Sequence, residues 1–250
     1  MLANFDAAQL EWRAFAHLSG DKTAIREINE GLDFHSDNQE KFKLPSRLVA
    51  KVFLFRNIYC PWWLAERTAY AYSVDNDFKD VGGVKFWRAA IDAFYEKYTG
   101  GYEYHKKLKN EATTTGQIIS ETGRIHPIQP VLRRGQMEWP DSDIANYPVQ
   151  GFSADLMALA RVSAWNRLRE YRERGEVLFV NSVHDSIVLD INTDEWYNIC
   201  ITMKKTFRDI PANFEKIYGK KLLVPMDSDA KVGVNWLWQH KIQIQEKDLH

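Results

Sequence analysis

The chain has 250 residues, a formal net charge of −1 and an aromatic content of nine Trp, eleven Tyr and thirteen Phe, which exclude a disordered chain. With so balanced a charge, any contact with a polyanion must come from local clusters rather than from the overall field. Two cysteines, Cys60 and Cys200, exclude a disulfide framework and lack metal-ligand spacing, and no apolar run approaches the roughly 20 residues of a membrane span.

Residues 2–6 read as a short strand ending in Asp6, and 8–18 as a helix whose apolar side carries Leu10, Phe15, Ala16 and Leu18. Asp6, Gln9, Glu11 and Arg13 crowd the junction; a helix cap with solvated charges explains that pattern as well as a site does. A second helix is expected over 22–30, stopped by Gly31, with His35 in a polar loop after it. Over 44–59, Pro45 and a long apolar content predict a helix. Arg47, Lys51, Phe55 and Tyr59 stand four apart there and share a stripe about 120° wide, since each step of four drifts about 40°. Two cations followed by two aromatics suit a nucleotide, triphosphate at one end and base at the other. They equally suit a helix with snorkelling cations and core aromatics.

Further helices are expected over 62–72 and 84–99. Lys106, Lys107 and Lys109 form a basic cluster that fits either a phosphate contact or a solvated face. Residues 117–120 and 124–127 read as a hairpin around Glu121-Thr122-Gly123. A long helix is expected from about 143 to 172, with Asn146 and Gln150 one turn apart and Pro148 bending or delaying its start. Gly175 ends it. The run Phe179 to Asp190 reads as a β-hairpin with His184 and Asp185 at its turn. If this hairpin neighbours the first strand, Asp6 and Asp185 converge into a site for hard divalent cations. A helix over 194–209 and an extended segment over 222–236 complete an α+β pattern: a small antiparallel sheet backed by helices, with a helical lobe inserted after the first strand.

Together these pieces resemble family A DNA polymerases. Asp6-Ala7-Ala8-Gln9-Leu10-Glu11-Trp12-Arg13 is similar to motif A of that family, Arg47, Lys51, Phe55 and Tyr59 to motif B, and Val183-His184-Asp185 to motif C. Asp33-Phe34-His35 resembles the segment that places a histidine near the incoming phosphates. Pro148-Val149-Gln150-Gly151 resembles the primer-template helix, and Val232-Gly233-Val234-Asn235-Trp236 the usual ending. The match runs in order over essentially the whole chain.

The resemblance implies a right-hand polymerase: palm over 1–36 and 116–250, fingers over 37–115. It implies that Asp6 and Asp185 hold two Mg²⁺ and that Gln9, Glu11, His35, Arg47, Lys51, Phe55 and Tyr59 line the dNTP site, with Glu11 blocking a 2′-hydroxyl. Asn146, Gln150 and His184 would face the primer-template, where minor-groove acceptors are similar for every base pair. The implied activity is DNA-directed addition of dNTPs to a primer 3′-end.

Arg56 and Cys60 stand where the family commonly has Gly, Ser186 where motif C usually has Glu, and Ser142 where an Arg is usual. Ser186 is shared with single-subunit RNA polymerases, which makes ribonucleotide polymerisation one alternative; a non-catalytic DNA-binding subunit is another. Glu11 and Phe55 match the deoxynucleotide-selecting pattern. Met1 stands five residues before Asp6, so thumb and 3′–5′ exonuclease are expected on a separate partner chain of a split, phage-encoded enzyme in the host cytoplasm, with no membrane contact.

Overall fold

The computed structural model describes residues 1–133 and 135–249, and these divide into two compact units. The first comprises Met1–Leu10 and the chain from Ser153 onward; the second is Glu11–Phe152. The chain is α+β, as the order of its elements predicts.

The first unit is built on a five-stranded antiparallel sheet in the order β6-β7-β1-β8-β9. Its strands are β1 (Leu2–Ala7), β6 (Val177–Val183), β7 (Ser186–Ile191), β8 (Ser228–Gly233) and β9 (Gln239–Ile242). The central strand β1 alternates strictly, burying Ala3, Phe5 and Ala7 and leaving Leu2, Asn4 and Asp6 on the other face. Helix α10 (Trp196–Arg208) packs against β1 and β8, burying Ile199, Cys200, Met203 and Phe207 from one stripe. Helix α11 (Ile210–Tyr218) follows, with Pro at its start and Gly219 at φ 67° at its end.

The second unit holds α1 (Leu10–Ser19, from Glu11), α2 (Lys22–Asn29), α3 (Phe34–Lys41), α4 (Arg47–Asn57), α5 (Ala65–Val74), α6 (Val84–Lys97) and α7 (Thr99–Thr115). The small hairpins β2–β3 (Gln117–Ile119, Ile125–Pro127) and β4–β5 (Val131–Arg133, Gln136–Glu138) belong to it, as does the start of α8 (Asp141–Arg167). Its core is aromatic. Tyr72 stacks on Trp87 at 4.7 Å, and Tyr98 meets Trp12 edge-on at 5.0 Å. A buried polar knot ties α2, α3 and α6 together: Lys97 Nζ lies 2.8 Å from Glu27 and donates to Asn38 at 2.6 Å. The Tyr98 hydroxyl, at the end of α6, donates to Glu27 at 2.9 Å.

Several expectations need correction. His35 is not in a loop: it lies on α3, which Asp33 caps. Tyr59 is not on the α4 helix, which ends at Asn57; Tyr59 and Cys60 instead bond back by three residues to Arg56 and Asn57, and Pro61 cannot continue the helix. Helix α1 begins at Leu10 rather than at 8, because Ala8 and Gln9 form a turn, with Gln9 at φ 55° and the Ala8 amide donated to Asp227. Pro148 lies inside α8 without delaying it, and that helix stops at Arg167 before the short α9 (Arg169–Glu173). The basic cluster sits on α7, where Lys109 pairs with Asp141 and Lys106 with Glu103. The segment 222–236 is a strand only from Ser228 to Gly233.

Candidate active site

Asp6 and Asp185 are brought together by strand register. In β1, Asp6 lies opposite Ser186 of β7, and the Ala7 amide donates to the Asp185 carbonyl at 2.9 Å. Asp185 sits in the two-residue turn His184-Asp185 between β6 and β7, whose first residue has φ 50°, as tight hairpin turns of this length require. A histidine tolerates that conformation better than a β-branched residue would. Ser186 is buried and its hydroxyl donates to the Val183 carbonyl at 3.0 Å, closing the turn. Its side chain serves the hairpin, and a longer Glu there would have to leave that buried position. His184 is exposed.

The same row of the sheet contains a carboxylate that the sequence did not single out. Asp229 of β8 lies opposite Asp6, and its charge is met by Lys241 at 2.9 Å. Among the described residues no cluster of three or more His, Cys, Asp or Glu forms a metal cage. Two carboxylates on adjoining strand ends nonetheless fit Mg²⁺, which takes one or two protein carboxylates and completes its shell with phosphate oxygens and water.

In the second unit, α3 and α4 pack together and carry the expected phosphate-binding side chains. Ser46 caps α4 by accepting from the Val49 amide at 3.2 Å, which leaves Arg47 at the first turn. Arg47 donates through Nε and Nη2 to the two oxygens of Asp33, both at 3.0 Å. This fork occupies one edge of the guanidinium and leaves Nη1 for another acceptor. Its hydrogen bond, with those from Ser36, holds the Asp33 carboxyl well below the usual carboxylate range. His35 is buried against Phe34 and Phe55, and burial, aided by the cations of Arg47 and Lys51, pushes it down to about 4. It is therefore neutral at pH 7, and among the described residues Nδ1 has no hydrogen-bond partner. Lys51 Nζ lies 6.0 Å from the ring centre of Phe55, a loose cation–π contact one turn along the helix.

Tyr59 is half-buried. Desolvation first, then the neighbouring Glu11 carboxylate, raise its hydroxyl far above the ordinary range. Asn146 and Gln150 lie one turn apart on α8, Gln150 exposed and Asn146 half-buried with its Oδ1 unpartnered among the described residues. The first unit thus sets Asp6 beside the Asp185 turn, with His184 in that turn and Gln9 three residues after Asp6 in the turn that follows β1. The second gathers His35, Arg47, Lys51 and Phe55 on one pair of helices and sets Glu11 beside Tyr59. Asp33, two residues before His35, was given no role of its own in the sequence, where nothing local links it to Arg47. Only the structure shows it orienting Arg47.

A family model described as DNA polymerase family A matches residues 1–238. DNA polymerase I of Chloroflexus aurantiacus is 26% identical over 242 residues, covering 92% of this chain and 23% of that protein. The thermostable DNA polymerase I of Thermus aquaticus is 26% identical over 249 residues, covering 95% of this chain and 27% of that protein. The chain thus spans about a quarter of the length of these curated relatives. Among solved structures, the POL domain of Pol1 from M. smegmatis, in complex with DNA primer-template and dNTP, superposes with a TM-score of 0.72 at 19% identity, covering 92% of this chain and 38% of that one. At that identity the likeness shows the fold alone, that of the part of the polymerase domain which the chain covers.

Proposed function

The chain belongs to DNA polymerase family A, and on that premise we propose that it carries the nucleotidyl-transfer chemistry of DNA-directed DNA synthesis. The primer 3′-oxygen attacks the α-phosphorus of a dNTP, the bond to the bridging oxygen breaks, and pyrophosphate leaves. The observation that carries this reading is the register of β1 against β7, which sets Asp6 beside the Asp185 turn. Held by Asp6 and Asp185, two Mg²⁺ would supply the Lewis acidity that favours the 3′-alkoxide and offsets charge on the departing pyrophosphate.

The residues of α3 and α4 take the triphosphate in this proposal. Arg47 offers its free guanidinium edge, Lys51 a point charge, and His35 a neutral N–H rather than a charge. Phe55 stacks near sugar and base, Tyr59 closes the pocket beside the template base, and Glu11 excludes a 2′-hydroxyl. Gln9 lies at the nucleotide, and Asn146, Gln150 and His184 at the primer-template. The partition into palm (1–36 and 116–250) and fingers (37–115) belongs to the same proposal, as does a separate chain carrying thumb and exonuclease. What supports a partner is the loop between β8 and β9, where Val234, Trp236, Leu237 and Trp238 are all exposed.

The test is primer extension by Asp6→Asn and Asp185→Asn, assayed with any partner chain that co-purifies. Each is expected to lose extension by at least about 10³-fold while still binding primer-template, because binding rests mainly on phosphate contacts. Near-normal extension by either variant removes that residue from the metal site.

A further inference from the structure

The C-terminal end of α4 lacks the glycine cap that helices commonly use, and Cys60 stands where the family has Gly. Its own last carbonyls are taken by the turn that follows, where the amides of Ile58, Tyr59 and Cys60 return to Leu54, Arg56 and Asn57. The next carbonyls along, those of Ile58 and Cys60, meet side chains of two other helices. The ring nitrogen Nε2 of His105, on α7, lies 3.0 Å from the Ile58 carbonyl. The Tyr95 hydroxyl, on α6, donates to the Cys60 carbonyl at 2.8 Å and lies 3.4 Å from that of Asn57. The two side chains meet each other, with the hydroxyl 3.2 Å from His105 Nδ1. These contacts bracket Tyr59 on both sides.

The protons can be assigned. His105 is fully buried and pushed down to about 4 by desolvation, so it carries one ring proton. A carbonyl only accepts, so that proton is on Nε2, facing Ile58, and Nδ1 is an acceptor. Burial keeps the Tyr95 phenol neutral, and its single proton serves one acceptor at a time, the Cys60 carbonyl at 2.8 Å being nearer than His105 Nδ1 at 3.2 Å. Every donor in the cluster is thus committed to the backbone around Tyr59 or to the His105–Tyr95 link.

We propose that His105 and Tyr95 are positioning residues for Tyr59: by holding the carbonyls before and after it, they set where its phenol stands in the nucleotide pocket. The inference rests on the reading above that Tyr59 lines that pocket. Ordinary capping would stabilise the helix end without affecting nucleotide handling. Positioning predicts an effect that passes through Tyr59.

Tyr95→Phe is the cleanest probe, because the ring keeps its contacts with Phe94, Tyr102 and His105 and loses only the hydroxyl. His105→Gln, with an amide that can still donate, is the companion. The measurements are single-nucleotide incorporation on primer-template by the assembled enzyme, and amide hydrogen exchange of the segment 53–61. Tyr95→Phe is expected to raise the KM for dNTP about three- to tenfold with kcat within about twofold, and to speed exchange at Tyr59 and Cys60. In a Tyr59→Ala background its effect on KM should vanish.

If Tyr59→Ala raises KM but Tyr95→Phe leaves it unchanged, or adds to it in full, the positioning role is overturned while the nucleotide-site reading stands. If Tyr59→Ala itself leaves KM unchanged, the nucleotide-site reading fails and takes this inference with it. Should His105→Gln not fold, Tyr95→Phe decides alone.

Discussion

At the scale of single residues, two buried histidines of the second unit, His35 and His105, make stability depend on pH. His35 and His105 each have a folded pKa of about 4, against about 6.5 when unfolded. Below 6.5 the unfolded chain takes up protons that the folded chain refuses, so their contribution is fully present above pH 6.5 and is lost as pH falls toward 4. Each accounts for about 1–3 kcal/mol over that interval, His35 for less because its charged neighbours Arg47, Lys51 and Asp33 are exposed and screened by solvent. Chemical denaturation at pH 7.5 and 5.0 should show this loss, and His105→Gln should flatten the slope. An unchanged slope would mean that His105 is not held neutral. Both histidines stand plainly in the sequence, but burial is what gives them this behaviour, and no local pattern reveals burial of a polar residue. The carboxylates differ: Asp6 and Asp185 drew attention in the sequence because one ends a short strand-like run and the other stands in the turn that an apolar run leads into. Asp229 did not, since only the strand register sets it opposite Asp6.

At the scale of elements, what periodicity could reach was the central strand, the β6–β7 hairpin and α4. Helix α3 escaped because Phe34–Lys41 is almost wholly polar; its cap Asp33 and the tie from Lys97 to Asn38 hold it instead. Helix α7 escaped because it begins Thr99-Gly100-Gly101, a sequence that reads as a break. Both glycines are demanded by packing. A Cβ on Gly100 would come within 2.7 Å of the Asp21 backbone, and one on Gly101 within 2.7 Å of the Phe15 ring. Strand β9 escaped because an exposed loop separates it from its partner β8. Helix α4 shows how a local signal carries weight: Ser46→Ala removes the oxygen that accepts from Val49. The expected cost is about 1 kcal/mol in equilibrium unfolding, with Ser46→Asp restoring most of it. Since Arg47 occupies the turn next to that cap, Ser46→Ala should also weaken dNTP binding, whereas Ser46→Asp should not. Equal stability of wild type and Ser46→Ala would show that tertiary packing alone sets the start of α4.

At the scale of the whole chain, the two units are threaded differently. The second is one uninterrupted stretch, Glu11–Phe152, with its own aromatic core and a buried polar knot whose members all lie within it. The first is assembled from both parts of the chain, and its middle strand, β1, precedes the entire second unit. A fragment covering residues 11–152 should therefore unfold cooperatively by itself. Lys97→Met in that fragment should cost about 3–5 kcal/mol, because it leaves the Glu27 carboxylate buried without its cation. A fragment covering residues 153–249 faces a harder task. Without β1 there is nothing to join β7 to β8, and the apolar faces of Ile187, Leu189, Ala230 and Val232 lose the strand between them. It should show no cooperative melt alone and should gain one when a peptide of residues 1–10 is added, with a midpoint that rises with peptide concentration by mass action. Circular dichroism melts of the two fragments, with and without the peptide, make the comparison. A cooperative transition in 153–249 without peptide would mean that the sheet can close around the gap, and that β1 delivers Asp6 to the site without being what holds the site together.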